Sequence, residues 1–340
     1  MAVARPETLV LIIGNRSYVE APPVEYAHND AEAFARYFRD TLRVPQENII
    51  VEKDLNSIGM ARWFGTDEVP DGRLARRARF VDDIVVIYSG HGVPVFHEEG
   101  LPSGYLLPVD VPAAEPGFGA YPLDMLIRQL ETLPVKSVTV LLDACFSGLS
   151  TQGSLVPGVS GAFGVAVAPP QEKARVSVLT ATDFRTPQFA HWLDDKKQGA
   201  FSYYTLEGLR GAADADGDGR IRLSELRDHI DERLAQQDLR QSPSLLPGSD
   251  HLVWTAVVLA ALPVGALGVW RLVRPVGGGR SRAAAVLVYL AVPLPYDAST
   301  ATLTVLLQSL NGVLFTGGGL TLAANTTYFQ TASFVFEHII

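Results

Sequence analysis

Two short motifs hold the side chains best suited to chemistry: Tyr88-Ser-Gly-His91-Gly92 and Asp143-Ala-Cys145-Phe-Ser-Gly148. A cysteine thiolate attacks carbonyl carbon, and an imidazole can carry the protons that such a reaction moves. A histidine beside glycine can be merely structural, so the dyad reading rests on both motifs occurring together and in order. Each follows an apolar, β-branched run (residues 84–87 and 138–142) and ends in glycine. Such runs read as buried strands of an α/β sheet that deliver a reactive group to their carboxyl ends. The tetrahedral oxyanion of acyl transfer needs fixed N–H donors, and glycine permits close backbone approach. The backbone N–H groups of Gly92 and Cys145 are the candidates for that role.

The rest of the composition narrows the field. In 340 residues there is room for one large domain and something smaller, and the net charge of −9 without a Lys/Arg stripe argues against a nucleic-acid binder. Cys145 is the only cysteine, which excludes disulfides and thiolate zinc sites. A single cysteine can serve as a small buried hydrophobe, but this one sits inside the motif that wants a nucleophile. No organic cofactor is expected.

The two motifs resemble those of caspase-like cysteine peptidases of the metacaspase and paracaspase type. His91 precedes Cys145 by 54 residues (145 − 91), near the roughly 50 that separate the caspase histidine and cysteine. Further matching pieces within residues 7 to about 256 are Leu9-Val-Leu-Ile-Ile-Gly14, Asn29-Asp30-Ala31, Gly104-Tyr-Leu-Leu-Pro-Val-Asp110 and Gly199-Ala-Phe-Ser-Tyr-Tyr204. The resemblance implies an α/β, caspase-like three-layer fold, a mostly parallel sheet between helices. It also implies that the sheet ends in a strand at 251–256, after the Pro-containing loop 242–248. By the same resemblance Asp30 and Asp143 form an acidic pocket that selects Arg or Lys before the scissile bond. A carboxylate lining that pocket pairs naturally with a guanidinium or ammonium. For Asp30 the residues alone leave a helix N-cap open, because Asn29-Asp30 precedes a helical run. The expected partners are therefore protein or peptide substrates with Arg or Lys at that position. Asp82 and Asp83 read as solvated charges at the start of a strand, and no third catalytic group is evident.

A second constellation is Asp214-Ala-Asp216-Gly-Asp218-Gly-Arg220-Ile-Arg-Leu-Ser-Glu225. Carboxylates at positions 1, 3 and 5, glycine at 6 and glutamate at 12 fit the twelve-residue Ca²⁺ loop, where position 7 (Arg220) binds through its carbonyl. Helical patterns at 201–209 and 225–234 flank it. The alternative is an Asp/Gly-rich turn that caps the second helix. Thr180-Ala-Thr182-Asp183, at another strand end, is expected near the substrate cleft. Lys173 and Arg175, in the Gly/Pro-rich stretch after the nucleophile, are candidates for self-cleavage.

Residues 252–270 run apolar for 19 positions between Trp254 and Trp270, with Arg271 and Arg274 beyond. That is a membrane-span pattern, but Pro263, Gly265 and Gly268 interrupt it and no signal peptide is read before it. The expectation is a cytoplasmic protein, with an apolar then Gly/Arg-rich linker at 257–283; a membrane-tethered form is the alternative. From Ala283 to Ile340 the only charged side chains are Asp297 and Glu337. This stretch, with Leu310-Asn-Gly-Val-Leu-Phe-Thr-Gly-Gly-Gly319 and Tyr328-Phe-Gln-Thr-Ala332, resembles the early part of γ-glutamyl hydrolases, with Thr316 where their pattern has proline. The resemblance implies a small incomplete α/β segment at 284–340 without catalytic residues of its own.

Overall fold

The computed structural model describes residues 7–99, 101–150, 153–155, 175–183, 188, 190–246 and 252–254. The self-cleavage candidate Lys173, almost all of the apolar run 252–270, the linker 257–283 and the γ-glutamyl hydrolase-like segment lie outside these residues. Among the described residues no helix is long and apolar enough to cross a membrane.

In chain order the first half comprises β1 (Thr8–Gly14), α1 (Ala27–Arg36), β2 (Ile49–Lys53), α2 (Ser57–Phe64), α3 (Arg73–Ala78), β3 (Asp83–Ser89), β4 (Gly92–Val95) and β5 (Ser103–Leu106). Then follow β6 (Tyr121–Pro122), α4 (Leu123–Glu131), β7 (Ser137–Asp143), β8 (Leu149–Ser150), β9 (Gly153–Ser154) and β10 (Val176–Thr180). The remainder is β11 (Trp192–Leu193), β12 (Gln198–Gly199), α5 (Ala200–Glu207), β13 (Ile221–Arg222), α6 (Leu223–Gln236), β14 (Ser244–Leu245) and β15 (Leu252–Trp254).

One six-stranded sheet, ordered β14-β10-β7-β3-β1-β2, organises these elements. Its five long strands are parallel, and only β14 runs antiparallel, against β10. The near-continuous apolar runs of β1, β3 and β7 are what a sheet covered on both faces demands. Leu9, Leu11 and Ile13 of β1 enter one core with Trp63 and Phe64 of α2, Leu74 of α3 and Leu126 and Leu130 of α4. The alternate residues Val10 and Ile12 are equally buried, and α1 packs along β1, β2 and β3. Gly14 is required where α1 crosses, since a Cβ there would lie 2.6 Å from the Ala27 carbonyl oxygen.

One feature departs from the sequence reading. The sheet ends in Ser244–Leu245, inside the Pro-containing loop, whereas Leu252–Trp254 pairs with Ile221–Arg222. Leu246 N–H donates to Val178 O at 3.0 Å, so the loop itself supplies the edge pairing that the later segment was expected to make. Ser103–Leu106 belongs to a separate antiparallel sheet, β4-β5-β6, whose first strand begins at Gly92, directly after His91.

Asn15 ties these layers together at the carboxyl end of β1. Fully buried, it accepts from Leu55 N–H at 2.8 Å and donates through Nδ2 to Leu55 O and Leu107 O, each at 3.3 Å. Asn15→Ala would strand these buried backbone groups, so it is expected to lower stability by about 2–3 kcal/mol. Urea denaturation of the variant against the native chain measures this.

Candidate active site

The dyad is placed by register. Ser89 of β3 faces Asp143 of β7 across a parallel ladder, and the next step, Gly90 N–H to Asp143 O, is still bonded at 3.1 Å. His91 and Cys145 each lie two residues past this last pair, so they leave neighbouring strands at the same height. The approach is close: a Cβ at Gly92 would fall 2.8 Å from Cys145 O. Gly92 and Cys145, expected to supply the oxyanion donors, are thus adjacent.

His91 is held on several sides. Its backbone N–H donates to Tyr18 Oη at 2.8 Å, and the two rings pack with centroids 4.7 Å apart. Tyr88 Oη donates to His91 O at 2.9 Å. Nε2 lies 2.8 Å from Pro22 O. A carbonyl only accepts, so Nε2 carries the proton in this contact and Nδ1 is left as the basic nitrogen. Pro22 O therefore fixes the orientation of the ring. A backbone carbonyl has no residue-type signature, which is why the sequence showed no third group.

Both members of the dyad are 8 % exposed. Burial pushes the Cys145 thiol up to about 12, reinforced by the Asp143 charge and opposed by hydrogen bonds from Ala190 N–H and the Thr182 side chain. Burial likewise lowers the His91 imidazole, against the opposing effect of Pro22 O. Burial thus favours the neutral form of both side chains. Thr182 fits its expected place at the cleft; nothing about the structure of the described Asp183 or Arg175 assigns either a role here.

The sulfur accepts from Ala190 N–H. Neighbouring residues pin the segment that carries this amide: Ser147 Oγ donates to Gln188 O at 2.7 Å, Ser242 N–H to Gln188 Oε1 at 2.9 Å, and His191 N–H to Gln241 Oε1 at 2.8 Å.

Asp30 and Asp143 are brought together at Gly199. Asp30 is not an N-cap, because α1 begins at Ala27 with Tyr26 at its cap position. Asp30 is 1 % exposed and accepts from Gly199 N–H at 3.1 Å and Ser89 Oγ at 3.1 Å. Asp143 Oδ2 accepts from Ser202 Oγ at 2.7 Å and Ser202 N–H at 3.2 Å. Both carboxylates crowd Gly199, where a Cβ would overlap Asp143 Oδ2 and lie 3.1 Å from Asp30 Oδ2. Burial and the Asp143 charge raise Asp30 well above the usual carboxylate range. Burial also raises Asp143, to about 6. Ser89, Gly199 and Ser202 were not identified as site residues from sequence, although all three lie within motifs that the sequence singles out.

Along the loop 214–225, one carboxylate oxygen from each of Asp214, Asp216 and Asp218 lies within 4.8 Å of the others. Asp218 N–H donates to Asp216 Oδ1 at 3.0 Å. Glu225 lies elsewhere: its Oε2 accepts from Arg222 N–H at 2.7 Å and caps α6. The structure therefore brings three of the expected ligands together and leaves Glu225 in the capping role. Asp82 pairs with Lys136, and Asp83 accepts from Ser137 Oγ at 2.6 Å, as befits charges at the start of a strand.

No family model matches the chain, and no curated protein matches it in sequence. Among solved structures it is similar to caspase-1 from Spodoptera frugiperda, at 14 % identity and TM-score 0.46, covering 74 % of this chain and 90 % of that one. It is also similar to a structural-genomics protein from Geobacter sulfurreducens, at 17 % identity and TM-score 0.44, covering 71 % and 93 %. Both likenesses are distant, so function has to be read from the chain's own residues.

A thiol pushed up to about 12 should alkylate slowly at neutral pH. Cys145 is therefore expected to show no thiolate absorbance below about pH 10 in the folded protein, whereas the denatured chain titrates near the ordinary cysteine value of roughly 8.5. Ultraviolet pH titration of folded and denatured protein distinguishes the two. Gln188→Ala, which loosens the segment over the sulfur, should raise the iodoacetamide rate several-fold.

Proposed function

We propose that this protein is a cysteine endopeptidase of the metacaspase type that cleaves after Arg or Lys. The observation that carries this reading is the convergence of Asp30 and Asp143 on Gly199, beside a Cys145/His91 pair set at one height on adjacent strands. Two buried carboxylates facing each other are costly unless a cation joins them. A substrate guanidinium or ammonium would supply that cation and displace the proton that burial retains.

In this mechanism Nδ1 of His91 takes the thiol proton as Cys145 Sγ attacks the carbonyl carbon after the basic residue. The backbone N–H groups of Cys145 and Gly92 stabilise the oxyanion. The imidazolium then protonates the leaving amine, and the acyl-enzyme is hydrolysed by a water that His91 activates. Pro22 O steadies the imidazolium through Nε2–H. Attack also requires the Ala190 amide to leave the sulfur.

That capped, buried thiol is the one feature favouring a second reading, a catalytically silent caspase-like scaffold. Fluorogenic peptides ending in Arg, Lys and Asp separate the two. Turnover of the Arg and Lys peptides, lost in Cys145→Ala and reduced by orders of magnitude in His91→Ala, is the expected result. No turnover of any peptide supports the scaffold, and preferential cleavage after Asp defeats the pocket assignment.

Asp143→Asn should lower kcat/KM on Arg peptides by about 100-fold or more, since a desolvated ion pair is lost. Its effect on folding should have the opposite sign. A carboxylate raised from 3.8 to about 6 keeps its proton in the folded state while the unfolded chain has released it. Stability therefore declines as pH rises from about 4 through about 6. Asp143→Asn removes this penalty, so it should melt higher than the native protein at pH 7 and nearly together with it at pH 4.

Calcium is also part of the proposal: Asp214, Asp216, Asp218, the Arg220 carbonyl and Glu225 would hold one Ca²⁺, with Glu225 released from its capping bond to close the site. Calorimetric titration should show binding that weakens at least 10-fold in Glu225→Gln, with a calcium-dependent rise in Tm. Heat unchanged by millimolar Ca²⁺ reduces the loop to a helix-capping turn.

A further inference from the structure

The outer edge of the sheet carries a feature that catalysis does not use. β2 pairs only with β1 among the described residues, so its other edge meets no strand. A shallow cleft runs along each side of it. One, of about 400 Å³, is lined by Ile50, Trp63, Arg73, Arg76 and Arg77. The other, of about 590 Å³, is lined by Val51 and Lys53 of the strand, by Glu32, Ala35 and Arg36 of α1, and by Arg39 just beyond that helix. Alternate β2 residues thus floor opposite clefts, and each cleft presents three cations.

Their local partners differ between the two clefts. Arg73 lies over the Trp63 ring at 5.5 Å, while Arg76 and Arg77 donate to the backbone carbonyls of Asp71 and Glu47. None of these three arginines has a carboxylate partner among the described residues, and Glu52, close by, accepts instead from Trp63 Nε1 at 2.9 Å. On the other side Lys53 and Arg36 share Glu32, at 2.6 and 3.8 Å, and Arg39 pairs with Asp40. A cationic edge on a chain of net charge −9 is a local exception to the protein's overall field.

Charged residues often guard an edge strand against pairing. Guarding charges project from the strand itself, and here only Glu52 and Lys53 do so, both engaged with side chains. The arginines stand beside the strand and leave its backbone open. The geometry points to β2 as a docking edge for an extended acidic peptide segment, which adds to the sheet as a seventh strand. Successive peptide side chains point to opposite faces, so every residue of such a strand would meet one cationic cleft or the other. Main-chain pairing would supply affinity, and the arginines would select acidic side chains. The occupant is set by charge complementarity, and the edge lies two strands from β3, which carries His91.

The test uses the full chain and a fluorescent eight-residue peptide, Glu-Glu-Val-Val repeated twice, which sets Glu on both faces of an added strand, with anisotropy and amide hydrogen exchange as readouts. Expected are saturable binding at low ionic strength, slowed exchange confined to residues 49–53, and at least 10-fold weaker binding for the same peptide N-methylated at alternate positions. Arg73→Ala combined with Arg77→Ala, and separately Arg36→Ala with Arg39→Ala, should each weaken binding at least 5-fold while leaving the circular dichroism spectrum and melting profile intact. Absence of binding overturns the proposal. So do binding that is indifferent to N-methylation, binding without protection of 49–53, and equal affinity for a single-stranded oligonucleotide of matched charge, since each reports unspecific attraction of polyanions.

Discussion

The parallel register of β3 on β7 is the constraint on which the catalytic end depends. With Ser89 opposite Asp143, the positions two residues on must come out beside each other, and these are His91 and Cys145. The same pairing directs the Asp143 side chain inward toward Ser202 and Asp30. A slip of one residue would turn Asp143 to the other face and separate the two motifs in height, because side-chain direction alternates along a strand. The apolar content of β1, β3 and β7 therefore does more than fill the core. Both faces of these strands are covered, and the burial they require fixes where the reactive residues emerge.

The acidic pair is where stability and chemistry oppose each other. Asp30 and Asp143 are charged groups in a place that favours neutral ones, and no Lys or Arg among the described residues forms an ion pair with either. What holds them is a set of donors, Ser89, Gly199 and both donors of Ser202, that favours ionisation without cancelling burial. An apolar pair would fold better there. Such an unfavourable arrangement persists where a ligand provides the missing charge, which is why the carboxylates say more about the substrate than the dyad does. A thiol and an imidazole could serve many acyl transfers; in the proposed function it is the acidic pair that would select a cationic side chain.

Much of this was legible in the sequence because it depends on local pattern. The β-branched runs at 84–87 and 138–142 became β3 and β7 with one or two added residues at each end, and the helices around 201–209 and 225–234 became α5, extended by a further turn, and α6. What escaped depends on backbone geometry or on short-range competition. The role of Pro22 belongs to a carbonyl oxygen, which any residue could offer. The capping amide belongs to Ala190, again irrespective of side chain. The helix start was misplaced at Asn29-Asp30 because those residues favour caps in general, whereas tertiary burial pulls Asp30 into the first turn, facing Gly199. The final strand was misassigned for a similar reason. The apolar run at 251–256 has the stronger strand pattern, yet Ser244–Leu245 reaches the edge of β10 first along the chain and takes its hydrogen bonds.

The resting chemistry of the dyad follows from the same burial. A thiol raised to about 12 and an imidazole lowered below its ordinary value disfavour a resting ion pair, and in the proposed reaction the proton would move as attack begins. The Ala190 amide occupies the sulfur's acceptor site in the meantime. Displacing it costs one hydrogen bond and loosens the Gln188 contacts with Ser147 and Ser242, and these meet the chain on both sides of the cleft, after Cys145 and beside β14. A substrate that enters with its basic side chain between Asp30 and Asp143 would bring its own backbone groups to this region and could replace the bonds it breaks.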